Sequence, residues 1–222
     1  LTKRRTSRHI RLRVAHDGTP NVSLPYWLSY KTALTFVLSK QDWIIQQKNN
    51  RTTSEPAHGQ RVGKTHFLTL KPVDKVQIRT KIIGNEAIVY HPASLDANDI
   101  KIKTAVSKLI VKVLKIQSEN LLPQRLEQLA HVHDFTYSKV KISKMRSRWG
   151  SCSSDKLITL NCFLIQLPWD LIDYVLMHEL VHTKVLSHSD KFWESFIGVM
   201  PDAKQRRKRM KQFHPHIFSE PA

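Results

Sequence analysis

Three histidines and a glutamate stand within eleven positions in "HELVHTKVLSH", residues 178 to 188. On a helix, at about 100° per residue, His178 and His182 lie on one face about one turn apart, so both imidazoles can reach a single ion. Zinc suits such a pair, with Zn–N bonds of roughly 2.0–2.1 Å. Glu179 projects from the next position round the helix, too far off to ligate and well placed to take a proton from a metal-activated water. His188 is harder to place, because continued helix would rotate it by about 240° from His182, onto the wrong face. The helix must therefore end near Val185 to Ser187 if His188 is to be the third ligand. Three protein ligands leave a fourth position for water, which distinguishes a catalytic zinc from a closed structural one. Chance is a poor explanation: with 12 histidines in the chain, random placement yields H-E-x-x-H with a probability of roughly 2%, and a third histidine at one chosen offset lowers that to about 0.1%.

Those residues need elements to position them. Pro168 opens "PWDLIDYVLMHELVHTKVL", a helix whose Leu171, Ile172, Val175 and Leu176 form an apolar stripe. Ser189 caps a second helix, "SDKFWESFIGVM", and "PDAKQRRKRMKQF" is a third. "YSKVKISKM" and "KLITLNCFLI" read as strands flanking "RSRWGSCSSD". Upstream, the chain is helical from Asp96 to about Phe135, with a break near Pro123 where a second helix starts. Before Pro92, "RHIRLRV" and "NVSLP" form a hairpin through "HDGTP", and a single helix spans Ser29 to Lys48. "NNRTTSEPAHGQ" is a loop. "THFLTL", "KVQIRTKII" and "EAIVYH" are strands, the last two joined by Gly84-Asn85. The expected organisation is α+β, with a β-rich N-terminal module over residues 1–92 and a catalytic domain over 93–222.

Composition narrows the function classes. With 41% hydrophobic and 24% charged residues among 222, the chain reads as soluble and globular. Its 36 Lys+Arg against 18 Asp+Glu leave +18, which favours anionic partners such as nucleic acid, nucleotides or anionic membrane surfaces. Cys152 and Cys162 are too few for a disulfide framework and lack zinc-ribbon spacing, so two inert buried thiols are expected. No apolar run is long enough for a membrane span, and "LTKRRTSRHIRLRV" carries charge where a signal peptide needs its apolar segment. The cytoplasm is the default expectation.

"RWGSCSSDKLITLN", "LPWDLIDYVLMHELVH" and "SHSDKFW" resemble, in order and spacing, the signature of the YgjP-like metal-dependent hydrolases, relatives of the SprT-like zincins. The opening "RRTSRHIRLRV…DGTPNVSLP", followed by "DWI" at 42 to 44, resembles that family too. The resemblance implies a zincin-like metallopeptidase domain, with zinc on His178, His182 and His188 and with Glu179 as catalytic acid/base. Metzincins share the histidine spacing but place glycine where this chain has Val185. Met200 in "GVMP" is read as core rather than a Met-turn, and Glu194 is an alternative ligand in the manner of gluzincins.

The expected activity is a zinc metallopeptidase acting on peptide or protein substrates. Two alternatives stand beside it. One is a nucleoside triphosphate pyrophosphatase on the same metal site, which the resemblance permits. The other is a SprT-like protease associated with nucleic acid through the basic surface. Arg146 and Arg148, beside Trp149-Gly150-Ser151, are candidate substrate-binding residues; the competing reading is a solvated turn with Trp149 in the core. "KLITL" would hold extended peptide along its edge, and Asp173 would orient a ligand. The run Lys204, Arg206, Arg207, Lys208, Arg209 and Lys211 is either a solvated face or a phosphate-binding patch, and His214 and His216 are read as non-ligands.

Overall fold

The computed structural model describes residues 1–14, 19–49, 58–74 and 77–215, which form two compact units, Leu1–Glu55 and Pro56–Ala222. The boundary expected after Pro92 falls inside the second unit. The α+β class expected from the sequence holds.

In the first unit, the alternating arginines and aliphatics form β2 (Arg11–Val14), paired antiparallel with β3 (Pro20–Pro25). The expected turn between them lies largely outside the described residues. β1 (Thr2–Arg4) joins the other side of β3 in parallel, so the strand order is β1-β3-β2. Val22 and Leu24 are buried together with Ala33. The single helix expected over Ser29 to Lys48 is instead two, α1 (Tyr30–Leu38) and α2 (Gln41–Asn49). Ser29 Oγ caps α1 by accepting from Thr32 N at 3.1 Å. The break follows from Ser39: its hydroxyl donates to Phe36 O at 2.8 Å, and Lys40 N reaches Val37 O, tightening the last turn and stopping the ladder.

The second unit opens with β4 (Arg61–Val62), β5 (His66–Val73), β6 (Arg79–Ile83) and β7 (Glu86–Pro92), in the order β4-β5-β7-β6. Gly84, at φ +56°, turns the β6–β7 hairpin as foreseen. Leu68, Ala87 and Val89 are buried with Ile102, Val106 and Ile110 of α3 (Ile100–Val132) in one core. α3 starts at Asp99, whose Oδ1 accepts from Lys101 N at 2.7 Å.

The break expected at Pro123 does not occur; α3 passes through it. Proline removes one rung of the ladder, and tertiary contacts on both sides outweigh that loss. Leu122 and Leu126 are fully buried, Ser118 Oγ donates to Cys162 O at 2.9 Å, and Arg125 forks onto Asp173. The helix ends where Asp134 takes φ +52° and Phe135 N bonds back to Ala130 O at 2.9 Å.

A second sheet places β8 (Lys139–Ser143), β10 (Leu157–Asn161) and β9 (Gly150–Cys152) in the order β8-β10-β9. The strand expected to continue through Ile165 ends at Asn161, and Cys162–Gln166 forms a 3-10 helix. Asn161 causes the switch by accepting from Phe163 N on its own side chain. Then come α4 (Trp169–His182), α5 (Asp190–Val199) and α6 (Ala203–Met210). Ser189 occupies the cap position of α5 as expected, but its side chain makes no capping bond. Among the described residues, no helix is long and apolar enough to cross a membrane.

Candidate active site

α4 carries its apolar stripe into the core, with Leu171, Ile172, Leu176 and Leu180 fully buried, and so holds the line from His178 to His182 rigidly. The helix stops at His182, three to five residues before the end expected near Val185 to Ser187. Thr183 is the reason: its hydroxyl donates to Leu180 O at 2.7 Å, and Thr183 N and Lys184 N bond to Leu180 O and Val181 O. Lys184 Nζ anchors the departing chain to Asp134 O at 2.8 Å and lies 4.3 Å from the Phe135 ring centroid. No glycine is needed because no residue of this turn takes a positive φ.

The turn returns His188 to the helix face. The three Nε2 atoms form a triangle: His178 to His182 3.2 Å, His182 to His188 3.2 Å, and His188 to His178 3.0 Å. His182 Nδ1 lies 3.0 Å from Val185 O. A carbonyl only accepts, so Nδ1 donates and Nε2 keeps its lone pair. Three mutually facing nitrogens, each a donor or an acceptor when neutral, cannot satisfy all three contacts with protons, since at least two must share a role. One cation between them satisfies all three. Tetrahedral coordination at roughly 2.0–2.1 Å asks for nitrogens about 3.3 Å apart, close to the spacing here. His178, His182 and His188 could therefore hold a divalent metal.

Phe192 of α5 backs the site. Fully buried, it lies with its ring centroid 4.5 Å from His182, 4.9 Å from His188 and 5.0 Å from His178. Burial, then the neighbouring histidines and Arg207, pushes His178 down to about 3, so its imidazole stays neutral, as a ligand requires. Its Nδ1 is buried and has no hydrogen-bond partner among the described residues.

Glu179 is 4% exposed, and burial raises its carboxyl to about 8, with Arg148 pulling the other way. Its Oε2 is buried with no partner among the described residues. Gly150, on β9, makes this placement possible: a Cβ there would lie 2.6 Å from Glu179 Oε1 and 2.8 Å from its Cγ. Gly150, Phe192 and Asn161 were not singled out from the sequence. Asn161 is fully buried and holds the Met145 to Trp149 loop, donating from Nδ2 to Met145 O at 2.8 Å and Arg148 O at 2.7 Å. The available signal in the sequence was an asparagine interrupting the apolar run "KLITLNCFLI".

Arg146 and Arg148 are exposed on that loop, and only Arg148 acts electrostatically on Glu179. Trp149 is half-buried against the core. "KLITL" is not an edge, because β10 is the central strand of its sheet; β9 is the edge strand on the side of Glu179. Asp173 is engaged through both its oxygens by Arg125, at 2.8 and 2.7 Å, pinning α4 to α3. Glu194 is exposed and outside the histidine cluster, while Met200 is buried core. Cys162 is buried; Cys152 is half-buried on β9, its thiol raised to about 11 by burial, then by Glu179. The basic run is partly engaged: Arg206 pairs with Asp202, Arg209 with Asp170, and Arg207 lies 4.7 Å from the Trp193 ring centroid. Lys204, Lys208 and Lys211 line a surface concavity with Asp190. His214 is exposed, and His216 lies outside the described residues.

A family model described as "YgjP-like, metallopeptidase domain" matches residues 8–213. Among solved structures, the metallopeptidase zymogen abylysin of Pyrococcus abyssi is similar, at 25% identity and a TM-score of 0.39 over 44% of this chain and 99% of that one. The metallopeptidase zymogen jannalysin of Methanocaldococcus jannaschii is similar at 19% identity and a TM-score of 0.37, over 41% of this chain and 94% of that one. No curated protein matches the sequence.

Proposed function

Since the chain belongs to the YgjP-like metallopeptidase-domain family, we propose that it is a zinc-dependent peptidase with Glu179 as its general base. The observation that carries this reading is three imidazole Nε2 atoms within 3.2 Å of one another beside a buried carboxylate. His178, His182 and His188 hold the metal. Zinc bound there supplies Lewis acidity, which acidifies water and polarises a carbonyl.

The chain's own residues do the rest. Glu179 Oε2 takes a proton from the attacking water as the water oxygen bonds to the peptide carbonyl carbon, then returns that proton to the amine nitrogen as the C–N bond breaks. A carboxyl raised by burial suits both transfers, because its affinity for the proton lies near neutral pH. Gly150 lets Glu179 stand close to β9, and the positive charge of Arg148 opposes the rise that burial imposes on its carboxyl. Among the described residues β9 pairs only with β10, so its free edge can bond an extended peptide as an added strand. Arg148 and Arg146 flank that edge on the loop held by Asn161 and bind the substrate's carbonyl or carboxylate oxygens.

The test is elemental analysis of the purified protein together with a peptide-library cleavage screen on wild type and Glu179→Gln. Zinc near one per chain, with cleavage lost in the variant while zinc is retained, is the expected result. No cleavage by zinc-loaded wild type overturns it, and metal-dependent pyrophosphate release from nucleoside triphosphates in its place assigns the site to phosphoanhydride hydrolysis.

A further inference from the structure

The first unit presents a cationic surface for which the proposed peptidase has no use. Side chains alternate across a strand, and the registers Thr2↔Ser23, Arg11↔Ser23 and Arg13↔Asn21 place these residues on one face of the β1-β3-β2 sheet. Arg4 is on that face too, two residues along β1 from Thr2. The opposite face carries the buried Val22 and Leu24. On the open face, Arg4, Arg11 and Arg13 are exposed and line a concavity of about 440 Å³ together with Thr2, Asn21 and Ser23. Among the described residues no carboxylate lines it.

We propose that this face binds the phosphodiester backbone of single-stranded nucleic acid. Guanidinium groups fork onto phosphate oxygens, and the hydroxyl and amide groups between them add neutral hydrogen bonds of the kind that position a backbone. Arg11 and Arg13 repeat along one strand at about 6.8 Å, so a linear polyanion following β2 meets them in succession. A concave lining suits a chain better than a flat lipid surface. At the end of β3, Tyr26 and Trp27 are 59% and 58% exposed, and Lys3 Nζ bonds Tyr26 O at 3.2 Å and lies 4.9 Å from the Tyr30 ring centroid. Aromatics exposed just past the end of β3 can serve as stacking platforms for the unpaired bases of a strand that follows the sheet.

The charge balance of the chain argues against its own segments as the occupant. Residues 1–55 hold ten Lys and Arg against three Asp and Glu, and residues 56–222 hold 26 against 15. Neither the second unit nor a second copy brings the net negative charge this face requires.

The test is fluorescence anisotropy of the full chain with labelled single-stranded RNA and DNA of about 12 nucleotides, titrated over a range of salt. Arg4→Ala/Arg11→Ala/Arg13→Ala should bind at least ten-fold more weakly, with a slope of log K against log salt shallower by about two, the value for three phosphate contacts on a single strand. The matching triple lysine variant, which guards against misfolding, should keep the slope while losing part of the affinity. Trp27→Ala should weaken binding without changing the slope. Lys204→Ala/Lys208→Ala/Lys211→Ala should change neither quantity. Wild-type affinity and slope in the triple alanine variant overturn the proposal, as does equal loss in the α6 control. Equally tight, arginine-dependent binding of a polyglutamate peptide, an anionic vesicle or a duplex of the same length overturns the assignment to single strands. If RNA and DNA bind alike, contacts are confined to phosphate and base; a preference for RNA adds a contact to the 2′-hydroxyl.

Discussion

Gly150 leaves room for the carboxylate of Glu179, and a methyl group there would displace it. Gly150→Ala should lower kcat/KM about 100-fold, since a displacement of about 1 Å costs that much in a positioned site. Metal content by elemental analysis should stay unchanged, because the histidines do not contact the added atom. Phe192→Ala should behave differently. Removing a fully buried ring costs about 3–5 kcal/mol, and here the ring also supports all three imidazoles, so a chelator competition should show weaker metal binding alongside the loss in a urea melt. Cys152, raised to about 11, should alkylate about 100-fold more slowly at pH 8 in the native protein than in the unfolded chain, because the thiolate is the reacting form. At this scale the sequence pointed to the three histidines and Glu179 but not to Gly150 or Phe192. A ligand set declares itself by residue type and spacing, whereas the residue that makes room for it is an ordinary glycine until the fold brings the two together.

Among the elements, α3 carries a proline against its own propensity. Pro123→Ala restores the bond to Glu119 O, and thermal melts should show about 1–3 kcal/mol of added stability, up to the full penalty of an interior proline. The break predicted there was wrong because Leu122, Leu126, Ser118 and the Arg125–Asp173 fork hold the helix on either side of the missing rung. Local propensity also misjudged Ser29 to Lys48, where Ser39 splits one amphipathic pattern into two helices. The same limit applies to "KLITL", whose alternation marks a strand without saying whether it is central or an edge. That depends on β8 and β9 flanking it, and β9 is only three residues long, too short for a periodic signal.

For the whole molecule, a metal that binds only the folded state stabilises it by mass action, by about 2.7 kcal/mol at 100 times the dissociation constant. A chelator should therefore lower the Tm of the wild type, and added zinc should restore it. His188→Ala should lose most of that response while its metal-free Tm stays close to that of the wild type, since His188 is exposed and its ring packs mainly on the cluster. The charge of +18 was plain from composition, but where it is free to act was not. Arg206 and Arg209 of α6, the densest basic run in the sequence, are paired within the fold, while Arg4, Arg11 and Arg13 line a face with no carboxylate among the described residues. By itself, the sequence determined the α+β class, the family resemblance and the helical pair His178 and His182 with Glu179 beside it, because a single helical turn sets their spacing. Only the tertiary structure decided that His188 comes back to that face, that Glu179 is buried deeply enough for its carboxyl to be raised, and that β9 is an edge strand among the described residues. Each of these depends on atoms distant in the sequence: the Thr183 turn tied to Asp134, the Gly150 gap over Glu179, and the central place of β10.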